Sequence, residues 1–128
     1  MKTYSGRRDA DGNCHVNVIH GNGRAEALPV RLDLYNHSPD GFEWSYAGSG
    51  PAQLALAILA DALQAPALKS RSAWWQGSED DPRMIAVRLH QEFKRRFIAR
   101  LDRDRPWTIV EQAVLDFVRD ARNDNPAS

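Results

Sequence analysis

The stretch GSGPAQLALAILADAL, residues 48–63, constrains the fold of this chain more than any other. Read as a helix over 51–63, it sets Leu54, Leu56, Ile58, Leu59 and Leu63 on a broad apolar face. Gln53, Asp61 and Gln64 fill the narrow remainder, so only one side can see water. Such a helix belongs at the centre of a core. The 128 residues fit one domain. A domain of that length can bury roughly two-thirds of the surface its unfolded chain exposes. The expected organisation is a single domain over 1–122, with a frayed tail over 123–128.

Upstream of that helix the pattern changes to period two. Cys14, Val16 and Val18 alternate with His15, Asn17 and Ile19. Leu28, Val30, Leu32 and Leu34 alternate with Pro29, Arg31 and Asp33, the clearest half-buried strand pattern in the chain. Residues 1–8 are short and mixed, and Phe42, Trp44 and Tyr46 suggest a fourth short strand. Asp11-Gly12, Gly21-Asn22-Gly23 and the run from Asn36 to Gly41 carry turn chemistry. Downstream, Asp81-Pro82 reads as an N-cap followed by the first residue of a helix. Ile85, Leu89, Phe93, Phe97 and Leu101 recur every four residues as its buried ridge. After Pro106, the sequence TIVE (108–111) fits a capping box opening a third helix. Strands first and helices after predict an α+β fold. A small antiparallel sheet of three to four strands, from the N-terminal half, packs against two to three helices from the C-terminal half.

Composition excludes several function classes. Basic and acidic residues number 17 each, so no overall charge draws the chain to nucleic acid or anionic membrane. One cysteine, Cys14, excludes an internal disulfide and an all-cysteine zinc cluster. It suits a reducing, cytoplasmic compartment. The N-terminus lacks the apolar core of a secretory signal, and the longest apolar run falls far short of the ~20 residues a membrane span needs. Cys14, His15, His20, His37 and His90 have no standard metal-site spacing, so neither a metal nor a cofactor is expected. Gly21-Asn22-Gly23-Arg24 begins like a dinucleotide fingerprint but lacks its third glycine and precedes a strand, which makes it a hairpin loop.

Two readings compete for the Gly-Ser-Gly that opens the central helix. A helix N-terminus can hold an anion, with Gly48 and Gly50 allowing close approach and Ser49 adding a hydroxyl. His37 and Glu43 lie nearby in sequence and could supply acid–base chemistry. This makes His37, Glu43, Ser49 and Gly50 the candidate ligand-binding residues. Against it, Pro51 removes one N–H donor, and no basic residue follows within the helix. The balance favours a start signal: Gly50 as N-cap, Pro51 presetting the turn, Gln53 reaching back to the cap. No side chains assemble into a catalytic set.

The run NHSPDGFEWSYAGSGPAQLALAIL (36–59) resembles a bacterial and phage family known as a domain of unknown function (number 6166). The likeness extends to the GRR start, the RLDL segment and a later QxFKR helix, Gln91 to Arg95. It implies membership without an activity to carry over. Ser45 stands where the family resemblance implies glycine.

Two surfaces remain. Between Arg83 and Arg105 eight basic residues face three acids. Of these, Arg88, Lys94, Arg95 and Arg105, with Gln91, avoid the apolar ridge. The stripe is either a solvated face or a docking surface. Trp74 and Trp75, adjacent in a polar segment, serve either as a lid on the core or as an interface anchor. The leading expectation is a non-enzymatic interaction module with an unknown protein partner or a second copy of itself, plausibly tied to a phage or mobile element. Nucleic acid is the less favoured partner. The alternative is a small-anion binder or enzyme at the helix start, residues 48–53.

Overall fold

The computed structural model describes residues 1–68 and 78–124. Four antiparallel strands form one sheet: β1 (Thr3–Arg8), β2 (Cys14–Ile19), β3 (Ala25–Ala27) and β4 (Trp107–Val110), in the order β3-β2-β1-β4. Three helices accompany it: α1 (Ser49–Ala62), α2 (Pro82–Phe93) and α3 (Glu111–Asp124). A π-helical turn over Lys94–Ile98 extends α2. The architecture is α+β, as the order of patterns predicts. Trp74 and Trp75 lie outside the described residues, so their assignment as lid or anchor rests on sequence alone.

Strand membership departs from the sequence reading in two places. The segment 28–34 is not a strand. Arg31 has φ 62°, a left-handed conformation that interrupts any ladder. Its guanidinium donates to the Ala65 carbonyl at 2.8 Å and the Pro66 carbonyl at 2.9 Å, beyond the end of α1. Leu28 and Leu34 are buried as the alternation implies, while Leu32 is exposed. Two of the four inward positions were therefore legible; the Leu28 N–H still donates to the Val16 carbonyl at 3.0 Å, and past it the backbone leaves the sheet and wraps α1. The fourth strand is not at 42–46 either, where the chain is irregular. It comes from 107–110, overlapping the stretch 108–111 that resembles a capping box. There Trp107 pairs with Gly6 and Val110 with Thr3, and the Glu111 N–H donates to the Lys2 carbonyl at 2.9 Å. Gly6 is required by this pairing, because a Cβ there would lie 2.3 Å from the Trp107 indole.

One face of the sheet carries Tyr4, Val16, Val18, Trp107 and Ile109, all buried. The central helix is covered more completely than its composition suggests: Gly50 through Ala60 are all buried. Its polar edge is not a solvated stripe. Gln53 is fully buried, and Asp61 accepts hydrogen bonds from the Tyr4 hydroxyl at 2.8 Å and from Lys2 Nζ at 2.9 Å. Apolar packing explains why α1 is central, and Gln53 and Asp61 fix what it packs against.

Asp81 caps α2 as expected, accepting from the Arg83 N–H at 2.9 Å, with Pro82 opening the helix. The four-residue ridge holds as far as Phe93. The π turn then inserts a residue, marked by the Ala99 N–H bonding the Lys94 carbonyl. Burial accordingly passes to Ile98, leaving Phe97 only half-buried. Phe97 stays in the core through ring contact, its centroid 4.6 Å from that of Phe93. Helix α3 continues through Asn123 and Asp124, two residues assigned to the tail from sequence.

Candidate functional site

The start of α1 is a packed junction. The N-cap is Gly48, not Gly50, and it contributes no side-chain hydrogen bond. Gly50 is buried, and a Cβ on it would stand 2.6 Å from the Glu43 Cβ and 3.2 Å from the Glu43 backbone nitrogen. Glycine is needed there so that the preceding segment can cross the helix. Ser49 is exposed. The Glu43 carboxylate turns to β1, where Arg8 binds it through both terminal nitrogens at 2.7 and 3.1 Å. That guanidinium, whose hydrogen bonds dominate, holds the Glu43 carboxyl below its ordinary pKa. Arg8 also covers the Trp44 ring at 4.7 Å and donates to Cys14 Sγ at 2.9 Å. Burial, then the charge of Glu43, pushes the Cys14 thiol up to about 11. A thiol so placed is a poor nucleophile at neutral pH.

Ser45 lies between these groups with φ 80°, its N–H bonded to the Ile98 carbonyl at 3.1 Å. A positive φ costs an L-residue roughly 1–2 kcal/mol, which glycine avoids. Glycine at 45, the residue the family resemblance implies, should therefore raise stability by about 0.5–1 kcal/mol after its larger unfolded-state entropy is counted. The urea midpoint of Ser45→Gly checks this. A lower midpoint would mean that the serine side chain contributes a compensating contact.

His37 leaves the helix start in another direction. Gln53 does not reach back to the cap. Its Oε1 accepts from the His37 N–H at 2.8 Å and the Ser38 N–H at 3.3 Å, and its Nε2 donates to the Val30 carbonyl at 2.7 Å. This one side chain fixes both ends of the loop that carries His37. The imidazole then meets α2, where its Nε2 lies 2.8 Å from His90 Nε2. Tyr35 stacks on it with centroids 4.2 Å apart. His90 is only 4% exposed, so its protonation is set by protein partners. Its Nδ1 lies 2.5 Å from the Val87 carbonyl, which can only accept, so Nδ1 carries a proton. In the neutral pair, His90 Nε2 is then the acceptor and His37 Nε2–H the donor.

Burial, then the Lys94 charge, lowers the His37 pKa. Burial likewise lowers that of His90, opposed by the Val87 hydrogen bond and reinforced by His37 and Lys94. Histidines depressed on folding bind more protons when unfolded. Their contribution to stability is therefore intact above the free-histidine pKa of ~6.5 and is lost as pH falls through the lower folded values. The slope should approach about 1.4 kcal/mol per pH unit for each proton taken up. Urea midpoints between pH 7.5 and 5 should fall in the wild type and much less in a His37→Asn/His90→Gln variant. Parallel curves would refute this assignment.

The four candidates taken from sequence therefore separate. Glu43 and Gly50 are joined in packing, Ser49 faces solvent, and the His37 ring is committed to α2. In the sequence His90 stands out only as a possible metal ligand, and no motif there predicts its pairing with His37. The available signal was its position three residues before Phe93 and four after Ala86, on the buried side of α2. Among the described residues, no three His, Cys, Asp or Glu side chains are grouped to hold a metal ion.

Beside the imidazole pair, Arg88, Gln91, Lys94 and Arg95 follow one another at helical spacing along one edge of α2. Arg88 and Arg95 are exposed, whereas Gln91 and Lys94 are half-buried. Gln91 Nε2 comes within 3.4 Å of His90 Nε2. Glu92, the single acid between Pro82 and Leu101, binds Arg95 and Arg96. The basic edge is thus offset at its far end and uncompensated by its own helix near Arg88 and Lys94.

Among the described residues no helix is long and apolar enough to cross a membrane. No curated protein and no solved structure matches the chain. A family model described as "Family of unknown function (DUF6166)" matches residues 4–76, more than half of the chain. The match takes in β1 to β3, the loop bearing His37 and Glu43, and the whole of α1, and it ends before α2. On that match, the chain belongs to the family of unknown function DUF6166.

Proposed function

We propose that this protein is a non-enzymatic interaction module that docks an acidic protein segment along α2. The observation that carries this reading is the basic edge of Arg88, Gln91, Lys94 and Arg95, set on a helix whose lone carboxylate is already engaged. The other polar candidates support it by being used structurally. Glu43 is bound to Arg8, and Gln53 is bound to the loop. A whole-chain charge of zero disfavours a long polyanion such as nucleic acid and favours a short acidic segment meeting a local patch. The resemblance of the central motif to bacterial and phage proteins suggests a partner from a phage or mobile element, and the lone Cys14 suits a cytoplasmic setting.

A fluorescein-labelled oligo-aspartate peptide tests the reading. Binding should weaken with added salt, because the contact is between exposed charges. Arg88→Glu/Arg95→Glu should reduce affinity about tenfold or more, since two attractive contacts become repulsive. Salt-insensitive binding, or affinity unchanged by the reversal, would reject it. Stronger binding to a single-stranded oligonucleotide of equal charge would transfer the surface to nucleic acid.

A further inference from the structure

The neutral His37–His90 pair already carries its bridging hydrogen and has room for one further proton. With the Nε2 atoms 2.8 Å apart, the bond between them accommodates one hydrogen. His90 Nδ1 is fixed as a donor by the Val87 carbonyl. The pair can gain one further proton, at His37 Nδ1, and keep its hydrogen bond. A second proton would set two N–H groups head to head. The pair therefore titrates as a unit. Tyr35 faces it from the loop, Gln91 faces it from α2, Lys94 follows His90 by four residues of helix, and Gln53 on α1 holds only the His37 backbone. The positive charge of Lys94 adds to burial in lowering the proton affinity of both rings. A cation beside two neutral imidazoles and an amide is an environment short of an anion.

We infer that the His37–His90 pair, with Gln91 and Lys94, forms a proton-coupled carboxylate seat within the basic edge of α2. This inference rests on the docking role proposed above and adds its regulation. A partner carboxylate seated beside Gln91 and Lys94 brings a negative charge to the pair, which favours the charged imidazole and offsets the Lys94 contribution that adds to burial in keeping the rings neutral. The pair then takes one proton from solvent. Because binding and protonation are linked, the carboxylate binds more tightly as pH falls, and the bound carboxylate raises the proton affinity of the pair by the same factor.

The test uses the full chain, oligo-aspartate and EDTA, with affinity measured at pH 8, 7 and 6. Wild-type affinity should rise toward pH 6, and the ratio of wild-type to His37→Gln affinity should grow about tenfold across that range. Calorimetry in buffers of differing ionisation enthalpy should report uptake of up to one proton per peptide. If His37→Gln does not fold, the wild-type imidazole resonances decide instead. Saturating peptide should move their apparent titration upward by about one pH unit. Peptide binding that is pH-invariant, or that leaves the imidazole titration unmoved, overturns the seat while the basic edge stands. Absence of binding at every pH overturns the docking reading and the seat together.

Discussion

Gln53→Leu should lower the stability of this protein by about 3 kcal/mol, although leucine is close in volume and the site is fully buried. The amide satisfies three backbone groups at once: the His37 and Ser38 N–H groups and the Val30 carbonyl. Leucine strands all three against α1. Each stranded group costs roughly 1–3 kcal/mol when water cannot replace the partner, and the apolar gain of leucine returns only part of that. Thermal unfolding should fall by about 10 °C for a chain of this length. Hydrogen exchange adds a local readout, because the His37 and Ser38 amides should lose protection first. A loss below 1 kcal/mol with those amides still protected would mean that the loop holds itself and that Gln53 is a passenger. The same variant should weaken carboxylate binding, since the loop places His37 against His90.

Gly50→Ala is the second large effect, and it separates two meanings of Gly-Ser-Gly. Were the motif an anion cradle, alanine would leave its N–H donors in place and improve the helix slightly. In the packed junction, the new methyl must enter 2.6 Å from the Glu43 Cβ and 3.2 Å from its backbone nitrogen. Neither neighbour is the loose end of a flexible chain, because Arg8 holds the Glu43 carboxylate from the other side. Overpacking of this kind costs about 2 kcal/mol, and the melting temperature should drop by roughly 5–10 °C. Ser49→Ala, one residue away and exposed, should stay within about 0.5 kcal/mol of wild type. Equal stability of Gly50→Ala and wild type would reopen the ligand reading of the helix start.

The fold class was legible because it depends on the order of periodicities. Alternation before residue 35 and helical spacing after residue 50 require a sheet and helices, and the apolar α1 requires a place between neighbours. Element identity was less legible where local pattern and tertiary pairing disagree. Residues 28–34 alternate well enough to bury Leu28 and Leu34, but the guanidinium of Arg31 finds carbonyl acceptors beyond α1, and the ladder is abandoned. Residues 107–110 carry β-branched and aromatic side chains that suit a strand. Whether they form one depended on β1 presenting a free edge, and no local window contains that fact. The capping of α2 by Asp81 and Pro82 needed only neighbouring residues, and it was read correctly.

Of the candidate site, the basic edge was visible because helical spacing alone aligns Arg88, Gln91, Lys94 and Arg95. The His37–His90 pair was not visible, since 53 residues separate its members and neither stands in a motif. By itself, the sequence determined that α1 would be central, that the fold would combine an antiparallel sheet with helices, and that Arg88 and Arg95 would be exposed on α2 and its extension. These follow from side-chain periodicity and capping, which act over a few residues. Only the tertiary structure decided which strands pair, that Gln53 and Asp61 anchor instead of facing water, and that the His37 ring meets His90. Those outcomes depend on distant polar groups finding partners away from solvent, a requirement that becomes specific once the chain has closed around α1.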